Sequence, residues 1–334
     1  FSCRKKEQID YNYNPTYFTL DVPSNFPPVE IPENNPLTEE GILLGRHLFW
    51  DTKLSGDNSV ACASCHLPQF AFSDSNPFSS GTNGHLGKRN SMVLQNLAWT
   101  KEFLWDGSVL SLEEQILLPV LDTTEMSGTW KDFFKKIEND EIYNRLFYNA
   151  FQTFNPDSIH AAKAIAQFVR TMVSSNSKYD KVLRNEAIFT PDESAGFDSF
   201  NSLSGGDCFH CHGGILGTDL SYKNNGLDEI PIDTGRGLVT NLASDYFRFK
   251  VPSIRNLQFS APFMHDGRFE DLDEVINFYS LGLQANSPNI DPLMEFAHQG
   301  GVQLDPQQRM ELKAFLLTLS DEEFINNPKF SNPH

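Results

Sequence analysis

Two copies of one five-residue pattern constrain this chain more than anything else in it: Cys62-Ala63-Ser64-Cys65-His66 and Cys208-Phe209-His210-Cys211-His212. Each is C-x-x-C-H, the attachment signature of a c-type haem. The spacing has a chemical reason. Two thiols on one helical turn can form thioethers to the two vinyl groups of one porphyrin, and the adjacent histidine then lies beneath the ring as an iron ligand. Two other readings use the same residues. Paired C-x-x-C knuckles build structural zinc sites, but such knuckles usually sit tens of residues apart and these are 146 apart. A redox dithiol has no need of the trailing histidine.

The duplication extends beyond the cysteines. Asn96-Leu97, Phe103-Leu104-Trp105-Asp106-Gly107, Leu112, Glu114 and Ile116 recur as Asn256-Leu257, Phe263-Met264-His265-Asp266-Gly267, Leu272, Glu274 and Ile276, every pair 160 residues apart. Apolar residues at helical spacing, with start and stop signals, predict helices over 37–51, 111–121, 129–151, 157–175, 190–204, 271–281 and 306–319, while few segments alternate as strands do. The expected fold is mainly α, with two cytochrome-c-like haem domains and short irregular or β elements. The expected boundaries are a tail over 1–36, a first haem domain over 37–180, a second over 181–325 and a tail over 326–334.

Composition removes other classes. The 26 Lys and Arg face 44 Asp and Glu, a net charge of −18, with no basic cluster of the kind that displaces counterions from nucleic acid. No apolar run reaches the eighteen or so residues that span a bilayer. The fifth cysteine, Cys3, precedes a polar, Pro- and Asn-rich stretch. Because haem attachment of this type happens outside the cytoplasm, Cys3 reads as the lipidated residue of a periplasmic, membrane-tethered lipoprotein, the alternative being an unpaired thiol.

Where the halves differ, one backbone position is given two tasks. Trp105 corresponds to His265, Gln115 to Val275 and Pro119 to Tyr279. If the helix after the DG turn crosses the open face of each haem, position 279 offers an iron ligand and position 119 cannot. One haem is then open to a small oxidant and the other closed, as suits electron transfer.

The segments CASCH, GKRNSMVLQNLAW, FLWDGSVLSLEEQILLPVLDTTEM, CFHCH and VPSIRNLQFSAPFMHDGRFEDLDEVINFY resemble the bacterial di-haem cytochrome c peroxidase superfamily, particularly its MauG-like branch, over residues 37–320. The resemblance implies reduction of hydrogen peroxide at the amino-terminal haem, with electrons relayed through the carboxy-terminal one from a small cytochrome or cupredoxin. It makes His66 and His212 the proximal ligands, Trp105 the conduit between the haems and Glu125 the distal acid/base, with Gln115 and Pro119 lining the same pocket. It places a calcium ion at Asn90, Ser260 and Pro262. In many members a methionine stands at the position of Tyr279; the MauG-like branch has tyrosine, whose anionic oxygen favours oxidised iron. Met264 is the nearest alternative sulfur and His85 the candidate for a distal histidine at the first haem. A homodimer is among the expected assemblies. The rival functions are MauG-like oxidation of residues on a protein partner, which Tyr279 favours, and a non-enzymatic electron carrier, against which Glu125 and Gln115 speak.

Overall fold

The computed structural model describes residues 13–334, so the expectation for Cys3 and the first part of the tether lies outside the described residues. The fold is mainly α-helical: α1 (Glu39–Trp50), α2 (Cys62–Cys65), α3 (Leu112–Leu121), α4 (Trp130–Ile137), α5 (Glu141–Phe151), α6 (Ser158–Arg170), α7 (Lys178–Leu183), α8 (Pro191–Phe200), α9 (Phe209–His212), α10 (Gly237–Thr240), α11 (Leu272–Asn277), α12 (Pro306–Leu317) and α13 (Glu322–Ile325). Two short strands, β1 (Tyr222–Lys223) and β2 (Phe249–Lys250), pair antiparallel with Tyr222 opposite Lys250.

The helices begin where the side chains satisfy free backbone donors. Thr38 accepts from the Gly41 N–H at 3.0 Å to start α1, and Thr190 and Glu193 form a reciprocal cap that starts α8 behind Pro191. The stretch expected as one helix over 129–151 divides into α4 and α5, because Asp140 turns its carboxylate onto the Ile142 and Tyr143 N–H groups and caps a new helix.

The internal repeat is written into matching contacts. In the first half α1 packs on α6 and Gly45 faces the Ala164 carbonyl; in the second α8 packs on α12 and Gly196 faces the Glu311 carbonyl. Asn96 and Asn256 both hold the left-handed conformation that asparagine tolerates, at φ 58° and 62°. The Asn96 N–H donates to Met172 O and its Oδ1 accepts from the Ser174 N–H; the Asn256 N–H donates to Leu319 O and its Oδ1 accepts from the Asp321 N–H. A side chain at Gly45 would drive into the Ala164 carbonyl. Gly45→Val is therefore expected to destabilise the fold by about 3 kcal/mol or more, read from urea unfolding of the holoprotein; a midpoint within error of the parent would refute this packing.

Leu44, Leu48, Phe49, Phe133, Phe147 and Phe168 fill the first core, and Phe200, Leu272, Ile276, Leu312 and Phe315 the second. Described segments of both expected tails are packed. Beyond α13 the chain returns to the first half, where Phe330 is 4% exposed and its carbonyl accepts from Trp50 Nε1 at 3.1 Å. At the other end the Phe26 ring lies 5.5 Å from that of Trp99, whose Nε1 donates to Pro27 O. α7 falls in the stretch between the halves, and its Asp180 pairs with Arg255, both fully buried.

Candidate active site

Both C-x-x-C-H motifs open onto one continuous cavity of about 940 Å³ with largely apolar walls, at the upper end of the range for ligand sites. In each motif the turn of helix brings the two thiols to one side and the histidine follows directly, its N–H donating to the carbonyl of the first cysteine at 3.0 Å for His66 and 2.9 Å for His212. The ring orientations repeat as well. His66 Nδ1 lies 2.8 Å from Phe72 O, and His212 Nδ1 lies 3.2 Å from Gly217 O. An Nδ1–H donated to a carbonyl leaves the Nε2 lone pair for a metal. Burial lowers both imidazole pKa values, which favours the neutral, ligating form. Burial also pushes the thiols up, Cys62 and Cys208 to about 12 and Cys65 and Cys211 to about 11, and none is in a disulfide. Such thiols carry almost no thiolate at neutral pH, which argues against a redox dithiol. Paired thiols, an oriented imidazole and a large apolar space fit two covalent porphyrins.

Glu125, Gln115 and Pro119 line the same cavity. Gln115 and Pro119 lie on α3, and the turn that follows is tied back to it by the Met126 N–H on Pro119 O at 3.2 Å. Glu125 is held in that turn by its own N–H on Asp122 O, and its carbonyl accepts from the Thr82 N–H at 2.7 Å. Gly81 packs against the Thr124 and Glu125 carbonyls, where a side chain would collide. Glu125 is an exposed residue of the cavity wall, yet the protein around it is dense enough that desolvation, with the Asp122 charge, raises its pKa above the ordinary glutamate value. Gln115 Oε1 is buried without a protein partner, an acceptor available to whatever occupies the cavity. His85 is exposed on the 81–87 loop and is not part of the cavity wall.

Tyr279 lies on a π-type turn, Phe278–Gly282, that continues α11. It lines the cavity with Met264, and its Oη accepts from Asn225 Nδ2 at 3.0 Å. Burial pushes the phenol up to about 12.

A hydrogen-bonded ladder joins the two DG turns. Trp105, 9% exposed, donates from Nε1 to Asn90 O at 2.8 Å, and the Asn90 N–H donates to His265 O at 2.8 Å. Repeat counterparts Trp105 and His265 are thus linked through one residue. The His265 ring stacks on Phe249 at 3.9 Å between centroids. Arg89, next to Asn90, donates to Asp106 Oδ2 at 2.6 Å and in bidentate fashion to Asp233, pinning the first DG turn to the second half. The Lys250 N–H donates to Trp105 O at 2.7 Å, and burial lowers the Lys250 ammonium pKa to about 8. Ser260 and Pro262 line the cavity with Asn90. Among the described residues no group of three or more His, Cys, Asp or Glu is placed to hold a metal ion.

The family model for di-haem cytochrome c peroxidase matches residues 39–188. The chain is 34% identical to the methylamine utilization protein MauG of Methylorubrum extorquens, over 87% of this chain and 81% of that protein. It is 31% identical to the cytochrome-c peroxidase IdrP1 of a Pseudomonas species, strain SCT, over 89% of this chain and 85% of that one. The crystal structure of a MauG-like protein associated with microbial copper homeostasis superposes with a TM-score of 0.86 at 32% identity, covering 95% of this chain and 99% of that one. The chain belongs to the bacterial di-haem cytochrome c peroxidase and MauG family.

Membership implies two c-type haems, hydrogen peroxide and a redox-protein partner, and makes the protein a di-haem peroxidase-type oxidoreductase. Proteins of the family are typically periplasmic. The di-haem peroxidase also contains residues that sequence reasoning passed over. Arg89 lies in the Gly87-Lys88-Arg89-Asn90 stretch, but its partner Asp233 is 144 residues away and no local pattern announces the pair. Asn225 sits in an Asn-Asn-Gly turn that looks like an ordinary loop signal.

Proposed function

We propose that hydrogen peroxide is reduced at the haem held by Cys62, Cys65 and His66, with electrons arriving by way of Trp105 from the haem held by Cys208, Cys211 and His212. The observation that carries this reading is the contrast at one repeat position within one cavity: Pro119, with no donor atom, near Glu125 and Gln115, and Tyr279 in the second half. The haems supply the redox chemistry, and the side chains do the rest. Glu125 takes a proton from one peroxide oxygen and delivers it to the other, a transfer that a positioned carboxyl can make. The Gln115 side chain, through its buried Oε1, orients the peroxide. The Trp105 indole, fixed by its bond to Asn90 O, couples the two sites.

The test is an absorption and EPR titration of the holoprotein with peroxide. The expected result is one peroxide-reactive haem and a second whose oxidation follows; two low-spin haems that never react would end the reading. Trp105→Phe should keep the first reaction and lose the rapid second one, measured by stopped-flow absorption. An unchanged second phase would remove Trp105 from the route.

Tyr279 supports a second reading, in which the electrons come from residues of a protein partner. A long-lived doubly oxidised state that disappears in Tyr279→Phe favours that reading, whereas rapid turnover with a reduced cytochrome or cupredoxin favours the first. The two cytochrome-c-like haem domains, the periplasmic lipid tether at Cys3 and a homodimer complete the proposal; mass spectrometry of the mature amino terminus tests the tether. Asn90, Ser260 and Pro262 would offer calcium neutral oxygens only, the ligand set of a weak site.

A further inference from the structure

We propose that Asn225 is a positioning residue that makes Tyr279, rather than Met264, the distal ligand of the second haem. The inference rests on the reading of Tyr279 as a ligand. One carboxamide nitrogen touches both candidates: Asn225 Nδ2 donates to Tyr279 Oη at 3.0 Å and to Met264 Sδ at 3.7 Å. A terminal amide has two N–H donors, enough for both. The two contacts are geometric restraints: the amide fixes the Tyr279 oxygen at the cavity wall while leaving it further lone pairs for a metal, and it ties the Met264 sulfur into a contact that a shift of the thioether would have to break.

The amide is held where it can do this. Asn224, 5% exposed, donates from Nδ2 to Ser287 Oγ at 3.0 Å and to Pro288 O at 2.8 Å, while its Oδ1 accepts from the Gly226 N–H. The Asp291 N–H donates to Asn224 O and the Gln284 N–H to Gly226 O, each at 2.9 Å. The 224–226 turn is therefore fastened to the 284–291 segment that directly follows the Tyr279 turn, so Asn225 and Tyr279 share one rigid frame. The backbone at Met264 does not make the choice. Its φ of 75° is matched by 66° at the repeat counterpart Leu104, which has no donor atom, so the left-handed conformation belongs to the turn rather than to ligation. The second half thus holds two candidate ligands and one amide that discriminates between them.

The test uses the oxidised holoprotein, read by EPR, by absorption and by redox titration of the second haem. Asn225→Leu, which removes both donors, should lose the oxygen-ligand signature and gain a sulfur-to-iron charge-transfer band. The midpoint potential should rise by at least about 59 mV, the equivalent of a tenfold change in the oxidised-to-reduced ratio for one electron. The band should be absent from Asn225→Leu/Met264→Leu, and Met264→Leu alone should keep the parent signature. Where Asn225→Leu fails to mature, Asn225→Asp has the same shape without the donors and should show the same switch. An unchanged signature and midpoint in the Asn225 variants overturns the proposal, as does a change of ligation in Met264→Leu alone. An oxygen-ligand signature that survives Tyr279→Phe instead defeats the underlying assignment of Tyr279.

Discussion

Glu125→Gln is expected to slow peroxide consumption by about 10²- to 10⁴-fold, the span that positioned acid–base catalysis supplies, with both haems still attached. The amide keeps the size of the side chain but can neither take up a proton nor release one. The pH dependence gives an independent check. In its proposed role Glu125 must be ionised to accept the first proton, and its pKa is raised by desolvation and by Asp122, so kcat/KM should fall as pH drops through a value above the ordinary glutamate pKa of about 4.3. Asp122→Asn removes a negative neighbour and should move that acid limb to lower pH; Glu125→Gln should abolish it. The stability consequence has the opposite sign. A carboxyl whose pKa is raised by folding stabilises the fold fully below its unfolded pKa and loses that contribution as pH rises through the folded value. Gln carries no such penalty at neutral pH, so the variant should melt no lower than the parent while losing activity. Parent-like kinetics in stopped-flow peroxide assays would remove Glu125 from the proton path.

The parts of this site legible in sequence are those whose chemistry needs residues close together along the chain. The two C-x-x-C-H turns are local, and the histidine orientation follows from carbonyls five and six residues on. The repeat was legible because both copies kept the same turn residues, and the left-handed Asn96 and Asn256 show why those positions stayed polar and small. What could not be read is what the repeat does not duplicate. Asn225 bonds to Tyr279 across 54 residues, and Arg89 to Asp233 across 144; neither residue type is unusual for a loop. The same holds for Phe330, which the expected boundaries assign to a tail and packing assigns to the first core. The divided helix at Asp140 is a case of two signals in conflict, since apolar spacing runs through 129–151 while an Asn-Asp pair offers a cap in its middle.

Removing one pair of thioethers should have the largest structural effect. On the proposed attachment, the porphyrin in Cys62→Ala/Cys65→Ala would lose both covalent links and be held only by the His66 imidazole and by contact with the walls. A porphyrin held this loosely can leave, and the share of the largely apolar cavity around the first motif would then face water, an exposure that large-to-small core changes show to be destabilising in a fold whose net stability is only about 5–15 kcal/mol. The first core is built around this space: Phe49, Leu54, Val60, Leu112 and Ile165 belong both to the core and to the cavity wall. The expected result is a chain that loses cooperative unfolding in the first half and becomes sensitive to protease there, measured by calorimetry and limited proteolysis. Cys62→Ala alone retains one thioether and the iron ligand and should fall well short of this. A double variant that still melts cooperatively within a few degrees of the parent would mean that the first half folds around something other than its porphyrin.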